Sequence, residues 1–124
     1  MRKIIVFGTF DILHKGHLNL FKQAKQHGDY LMAVIARDKN VKKAKGKFPK
    51  NKERIRLKKV KPHVNKAFLG YIKDQYKIIK KTKPDLICLG YDQKADIKQL
   101  RQLKIQIKRL KSYYPHKYKS SKLQ

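Results

Sequence analysis

Acidic residues are scarce in this sequence. Eight Asp and Glu stand against 34 Lys and Arg, giving a formal net charge of +26 over 124 residues. Tryptophan is absent, and the single cysteine, Cys88, excludes an internal disulfide. Its setting in Leu86-Ile87-Cys88-Leu89 reads as that of a buried, inert thiol. The longest aliphatic run, Leu31-Met32-Ala33-Val34-Ile35-Ala36, falls far short of the roughly 20 residues a membrane-spanning helix needs. Nor does the N-terminus combine an apolar h-region with a cleavage site. These absences predict a cytoplasmic protein without a membrane partner, folded as one domain over residues 1–124. Its 40% apolar content suffices for a modest core.

Arginine is scarce too. Of the basic residues 28 are lysine and six arginine, whereas planar bidentate recognition of phosphate or guanine favours arginine. The lysines are also spread over almost the whole chain. That pattern reads as a solvated surface steering anionic substrates, with nonspecific nucleic-acid binding through the same surface as the rival. The few acids are more telling. Asp11, Asp38 and Asp92 each follow a predicted strand and Glu53 precedes Arg54, which points to site residues. Asp29 and Asp85, each just before a strand, read as turn residues.

Strands are expected at Ile4–Phe7, Leu31–Ala36, Lys66–Gly70, Asp85–Leu89 and, as an alternating edge, Ile105–Leu110. Helical spacing covers His17–His27, with Gly28 as its natural stop, then Lys52–Lys61, Asp74–Thr82 and Lys94–Leu103. In the second of these Ile55, Leu57 and Val60 are expected to face inward. Arg37–Asn51, rich in lysine with Gly46 and Pro49, reads as a long loop. Residues 111–124 form an irregular tail. Strands alternating with helices predict a Rossmann-like, doubly wound parallel α/β sheet of about five strands with helices on both faces. Ligands bind such sheets beyond the carboxyl ends of the strands. The turn after the first strand, the Asp38–Lys47 stretch and the Gly90–Gln93 turn all fall on that edge.

The first turn carries the most chemistry. Gly8-Thr9-Phe10-Asp11 is followed by His14-x-Gly16-His17 at the start of a helix. Free backbone N–H groups and the helix dipole favour phosphate there. Gly8 lets the backbone approach a nucleotide and Gly16 leaves room for phosphates. His14 and His17, three apart, face one side of the helix and can donate to phosphate oxygens whose charge builds during transfer. Their bland alternatives are helix caps or a metal pair; His27, His63 and His116 read as structural.

These residues resemble the signature of the cytidylyltransferase-like nucleotidyltransferases, which join a nucleoside triphosphate to a phosphorylated acceptor and release pyrophosphate. Seven specified positions match, a coincidence expected about once in 10⁹ starting points. Val34-Ile35-Ala36-Arg37-Asp38, Lys45-Gly46, Lys66–Gly70 and Lys83–Gly90 with Asp92-Gln93 are most similar to the archaeal-type FAD synthase branch, ahead of the glycerol-3-phosphate cytidylyltransferase branch. The resemblance implies that His14, His17, Lys45 and Arg54 are the catalytic set, the histidines on the α- and β-phosphates and Lys45 and Arg54 on the β/γ end. It further implies that Gly8, Thr9, Phe10, Asp11, Gly16, Gly90, Asp92, Ser120 and Ser121 bind nucleotide. Asp11 would fix the turn through the imidazoles or the metal, Asp92 would lie against base and ribose, and Ser120 and Ser121 would touch phosphate. Where the family has a basic residue before that serine pair, this chain offers Lys117, or Lys111 further back. Mg²⁺ is expected on the nucleotide rather than in a certain protein site, and a homodimer is expected from the resemblance alone. The implied substrates are ATP and FMN, with CTP and an alcohol phosphate such as glycerol 3-phosphate as the alternative. A basic nucleic-acid-binding protein on the same fold without catalysis is the alternative of another class.

Overall fold

The computed structural model describes residues 1–74, 76–90, 93 and 97–111. A parallel sheet is built from β1 (Lys3–Gly8), β2 (Tyr30–Ile35), β3 (Lys66–Leu69), β4 (Leu86–Leu89) and β5 (Gln106–Arg109). Their order is β3-β2-β1-β4-β5. The helices are α1 (Lys15–Lys25), α2 (Asp38–Lys45), α3 (Glu53–Val60), α4 (Lys77–Thr82) and α5 (Ile97–Gln102). The chain winds outward from β1 to β3, then returns past β1 to β4 and β5. This reversal puts the switch point between β1 and β4, whose pairing runs from Ile4 opposite Leu86 to Val6 opposite Cys88.

Strand alternation divides the core into two layers. Ile4, Val6, Leu31, Ala33, Ile35, Leu86 and Cys88 face Phe21 and Ala24 of α1 and Val60 of α3. Ile5, Met32, Val34, Ile87 and Leu89 face Ile78 and Ile79 of α4 and Leu100 of α5. Because both faces are covered, the central strands are apolar without a break. Cys88 is buried, and that burial raises its thiol to about 11, against the smaller opposing pull of Lys108 and Arg2.

Several local expectations need correction. The stretch read as a loop from Arg37 to Asn51 contains α2, anchored by the buried Val41 and closed by Gly46 in the left-handed region at φ 82°. One buried position in eight residues gives too weak a periodicity to reveal a helix among lysines. On α3, Ile55 is 46% exposed while Arg56 and Val60 are buried. The inward stripe is therefore set by the hydrogen bonds of Arg56. Gly28 lies past the end of α1, and its missing side chain serves close approach, since a Cβ there would sit 2.7 Å from the Arg2 carbonyl oxygen. The start of the fourth helix falls at Lys77, because Asp74 adopts φ 50° outside it.

Arg56, at 0% exposure, is the buried charged residue of the described structure. Its Nε donates to the Asn51 carbonyl (2.9 Å), Nη1 to the Thr9 carbonyl (2.8 Å) and Nη2 to Asp38 Oδ1 (2.7 Å). Asp38 and Glu53 cap one another's helices. The Asp38 N–H donates to Glu53 Oε1 (2.8 Å) and the Glu53 N–H to Asp38 Oδ2 (3.3 Å). Arg37 extends the chain of contacts, with Nη1 on Glu53 (2.9 Å) and Nε on the Gly70 carbonyl (2.8 Å). The acids expected in the site at 38 and 53 thus brace the carboxyl ends of β1, β2 and β3. At the opposite edge, Asp29 and Asp85 accept the N–H groups of Arg2 and Lys3, as turn residues should. Truncating one partner of a buried, hydrogen-bonded ion pair costs about 3–5 kcal/mol. Arg56→Ala is therefore expected to lower unfolding free energy by about that amount in urea titrations; an unchanged midpoint would contradict the bracing role.

Candidate active site at the first turn

β1 ends in Gly8, and the chain turns at once. Phe10 takes φ 51° and folds its ring back beneath the turn, where it is buried. Gly8 makes room for it, since a Cβ at that position would lie 2.7 Å from Phe10 Cζ. The ring stands edge-on to His17 at 5.3 Å and against Phe21 at 5.3 Å. Phe10, expected among the nucleotide-binding residues, is placed as the floor under His17.

His14 is the N-cap of α1. Its Nδ1 accepts the Gly16 N–H at 3.0 Å. A neutral imidazole that accepts at Nδ1 carries its proton at Nε2, so the cap fixes the tautomer and leaves an Nε2–H donor. Gly16 permits this placement, since a Cβ there would lie 2.8 Å from His14 Cε1. The rings of His14 and His17 stack with centroids 3.9 Å apart and 23° between planes. The Nδ1 of His17 is buried without a hydrogen-bond partner. Burial, then the neighbouring His14, lower its pKa to about 4, with a weaker opposing pull from the Ile12 backbone. The first turn of α1 holds no acidic residue, so its dipole is free to act on an anion.

Asp11 engages neither imidazole. Its carboxylate accepts the N–H groups of Lys50 and Asn51, both at 2.8 Å, and the Asn51 side chain donates to the Asp11 carbonyl at 2.6 Å. Desolvation opposes its ionisation, but the Asn51 and Lys50 hydrogen bonds and nearby Arg56 outweigh it and lower the pKa. Asp11 therefore clamps the 50–51 segment to the histidine turn. Thr9 contributes the carbonyl held by Arg56.

Across the switch point, Gln93 ties the turn after β4 to the end of β1. Its Nε2 donates to the Phe7 carbonyl (2.9 Å), and its Oε1 accepts the Gly90 N–H (3.0 Å). Arg109 Nη1 donates to the carbonyls of Gly90 and Gln93, each at 2.8 Å. Lys45, the last residue of α2, and Arg54 on α3 are exposed, and no contact among the described residues joins either to the histidines. Asp92, Ser120 and Ser121 lie outside the described residues. Among the described residues no group of three His, Cys, Asp or Glu could hold a metal ion, and the carboxylates of Asp11, Asp38 and Glu53 are engaged by backbone amides. Sequence reasoning passed over Arg56, Asn51 and Arg109, and reached Gln93 only as part of the family resemblance, without a role. A signal was available for Arg56 and Arg109, as two of only six arginines, and for Arg56 also in its place four residues before Val60 on one helix face.

Residues 5–123 match the cytidylyltransferase-like family. The chain belongs to that family and is a nucleotidyltransferase. Its curated relatives include the FAD synthase of Ferroglobus placidus, 47% identical over 103 residues, covering 82% of this chain and 67% of that protein. The FAD synthase of Aciduliprofundum boonei is 40% identical over 121 residues, covering 91% and 80%. This chain spans about two thirds of the length of the Ferroglobus protein. Among solved structures, the lipopolysaccharide core biosynthesis protein of Thermoplasma volcanium superposes with a TM-score of 0.84 at 38% identity, covering 92% of this chain and 99% of that one. A pantoate-beta-alanine ligase of Francisella tularensis, at 17% identity and a TM-score of 0.58, shares the fold.

The low pKa of His17 has a consequence for stability. Unfolded, the imidazole binds a proton near pH 6.5; folded, near 4. The unfolded state therefore takes up the extra proton, and stability falls as pH drops through that window. Urea unfolding at pH 7.5 and pH 4.5 is expected to give a lower midpoint at the acid pH, and His17→Gln is expected to shrink the difference. An equal difference in both proteins would contradict the buried neutral histidine.

Proposed function

We propose that the chain transfers AMP from ATP to FMN, forming FAD and pyrophosphate. The observation that carries this reading is the stacked His14–His17 pair at the head of α1, with one imidazole fixed as an Nε2–H donor by its cap and the other half-buried and neutral. The 40–47% identity to FAD synthases supports ATP and FMN as the substrates.

In this scheme an FMN phosphate oxygen attacks the α-phosphorus of ATP in line. The new P–O–P bond forms as the bond from the α-phosphorus to its bridging oxygen breaks, and pyrophosphate leaves with that oxygen. No covalent enzyme intermediate is needed, so the protein positions the reactants and stabilises charge. His14 donates from Nε2 to a phosphate oxygen, and His17 does so from the interior side of the pair. Phosphate charge favours protonation of His17 as it builds, and the neutral ground state of that ring makes the gain largest in the transition state. Lys45 and Arg54, reaching in from α2 and α3, take the β/γ end of the triphosphate. The turn around Gly90 and Asp92 receives base and ribose, and Ser120 and Ser121 meet phosphate. Mg²⁺, bound to the triphosphate, would neutralise part of its charge.

A second reading, nucleic-acid binding through the basic surface, is favoured by one observation. The two ion pairs among the described residues, Arg37–Glu53 and Arg56–Asp38, both belong to the bracing network, so the lysine surface carries little internal neutralisation. One screen separates the readings. Pyrophosphate release is measured with ATP or CTP against FMN or glycerol 3-phosphate. ATP with FMN is expected to be the productive pair, and His17→Ala to lower kcat by about 10²–10³. Full release by that variant would sink the histidine assignment. No release from any pair, together with steeply salt-dependent RNA binding, would favour the second reading.

A further inference from the structure

The Asp11 clamp joins two segments that each expose a large apolar side chain. Ile12, next to Asp11, is 55% exposed; Phe48, two residues before Lys50, is 61% exposed. Neither belongs to either core layer. Phe48 is nevertheless held in place. The ammonium of Lys42 lies 5.6 Å from its ring centroid and donates to the Gly46 carbonyl at 3.0 Å. Two residues of chain place the Phe48 Cα within about 7 Å of that of Lys50, whose N–H is bonded to Asp11. Two exposed apolar side chains therefore flank the Asp11 clamp, Ile12 two residues before His14 and Phe48 on the segment that follows α2, and offer an apolar platform tied to the histidine turn.

We propose that Phe48, with Ile12 on the other clamped segment, seats the planar isoalloxazine ring of the flavin acceptor. This inference rests on the reading of FMN as acceptor and adds where its ring sits. FMN separates its phosphate from a large, weakly polar ring by a ribityl chain. A phosphate held at the histidines therefore needs an apolar seat for the ring, and the clamp ties these two exposed side chains to the histidine turn. Glycerol 3-phosphate has no group that would use such a platform, so Phe48 acts as a specificity residue. Stacking on an exposed, pinned aromatic adds affinity without reordering the fold.

Flavin fluorescence gives a readout without turnover. FMN alone, titrated into the whole protein, is expected to be quenched on binding. Phe48→Ala is expected to weaken binding and raise the KM for FMN about tenfold, the scale of a lost ring stack. The KM for ATP and kcat should stay within about twofold, and Phe48→Trp should restore FMN affinity. Because Phe48 is exposed, these variants should fold normally, which circular dichroism checks. If the wild type makes FAD and Phe48→Ala keeps its affinity and KM for FMN, the seat is overturned and the acceptor reading stands. If the wild type neither quenches FMN nor forms FAD, the acceptor reading fails and the seat falls with it.

Discussion

The guanidinium of Arg56 holds the functional edge of this protein together. It reaches the Thr9 carbonyl at the end of β1, the Asn51 carbonyl before α3 and the Asp38 carboxylate at the head of α2. A fully buried guanidinium is tolerable only when its donors are matched and its charge is met. Here three of its donors have partners, and Asp38 supplies the opposite charge at 2.7 Å. The turn that presents His14 and His17 is thus fixed from below by Phe10, from the side by Arg56 and from the rim by Asp11.

A basic chain with eight acids uses them economically. Asp11, Asp29, Asp38, Glu53 and Asp85 all accept backbone N–H groups at strand or helix ends. Of these, Asp38 and Glu53 also form the two ion pairs found among the described residues. Carboxylates placed there satisfy amides that would otherwise lack partners. Among the described residues neither ion pair involves a lysine, which keeps that positive charge for anionic ligands. The cationic surface and the carboxylate-braced edge are two sides of one allocation, which suits a site whose ligands are phosphates.

Much of the fold was legible because strand burial writes itself into the chain. Uninterrupted runs such as Leu31–Ala36 and Leu86–Leu89 read as strands covered on both faces, and Gly8–His17 announces a tight turn from strand to helix. The expected parallel sheet and all five strands are present. What escaped was carried by single residues. The α2 helix hid because Val41 is its one buried side chain. On α3 the inward Val60 and Leu57 were legible, but hydrophobicity also pointed to Ile55, whereas hydrogen bonds drew in Arg56. Asp11, Asp38 and Glu53 were recognised as important from their scarcity and position. Their bonding to backbone amides depends on segments far apart in sequence, and local pattern does not encode that.

The histidine pair is a preset device: His14 held as the Nε2–H tautomer by its cap, His17 neutral in its half-buried site. Two-dimensional ¹H–¹⁵N spectra of the imidazole nitrogens, followed from pH 8 to pH 4 on the intact protein, test this directly. An Nε2–H tautomer is expected for His14 in the neutral state. The His17 ring is expected to stay neutral until about pH 4, and both rings to shift when a nonhydrolysable ATP analogue is added with Mg²⁺. An Nδ1–H tautomer for His14, or a His17 that titrates near 6.5 and ignores the nucleotide, would contradict it.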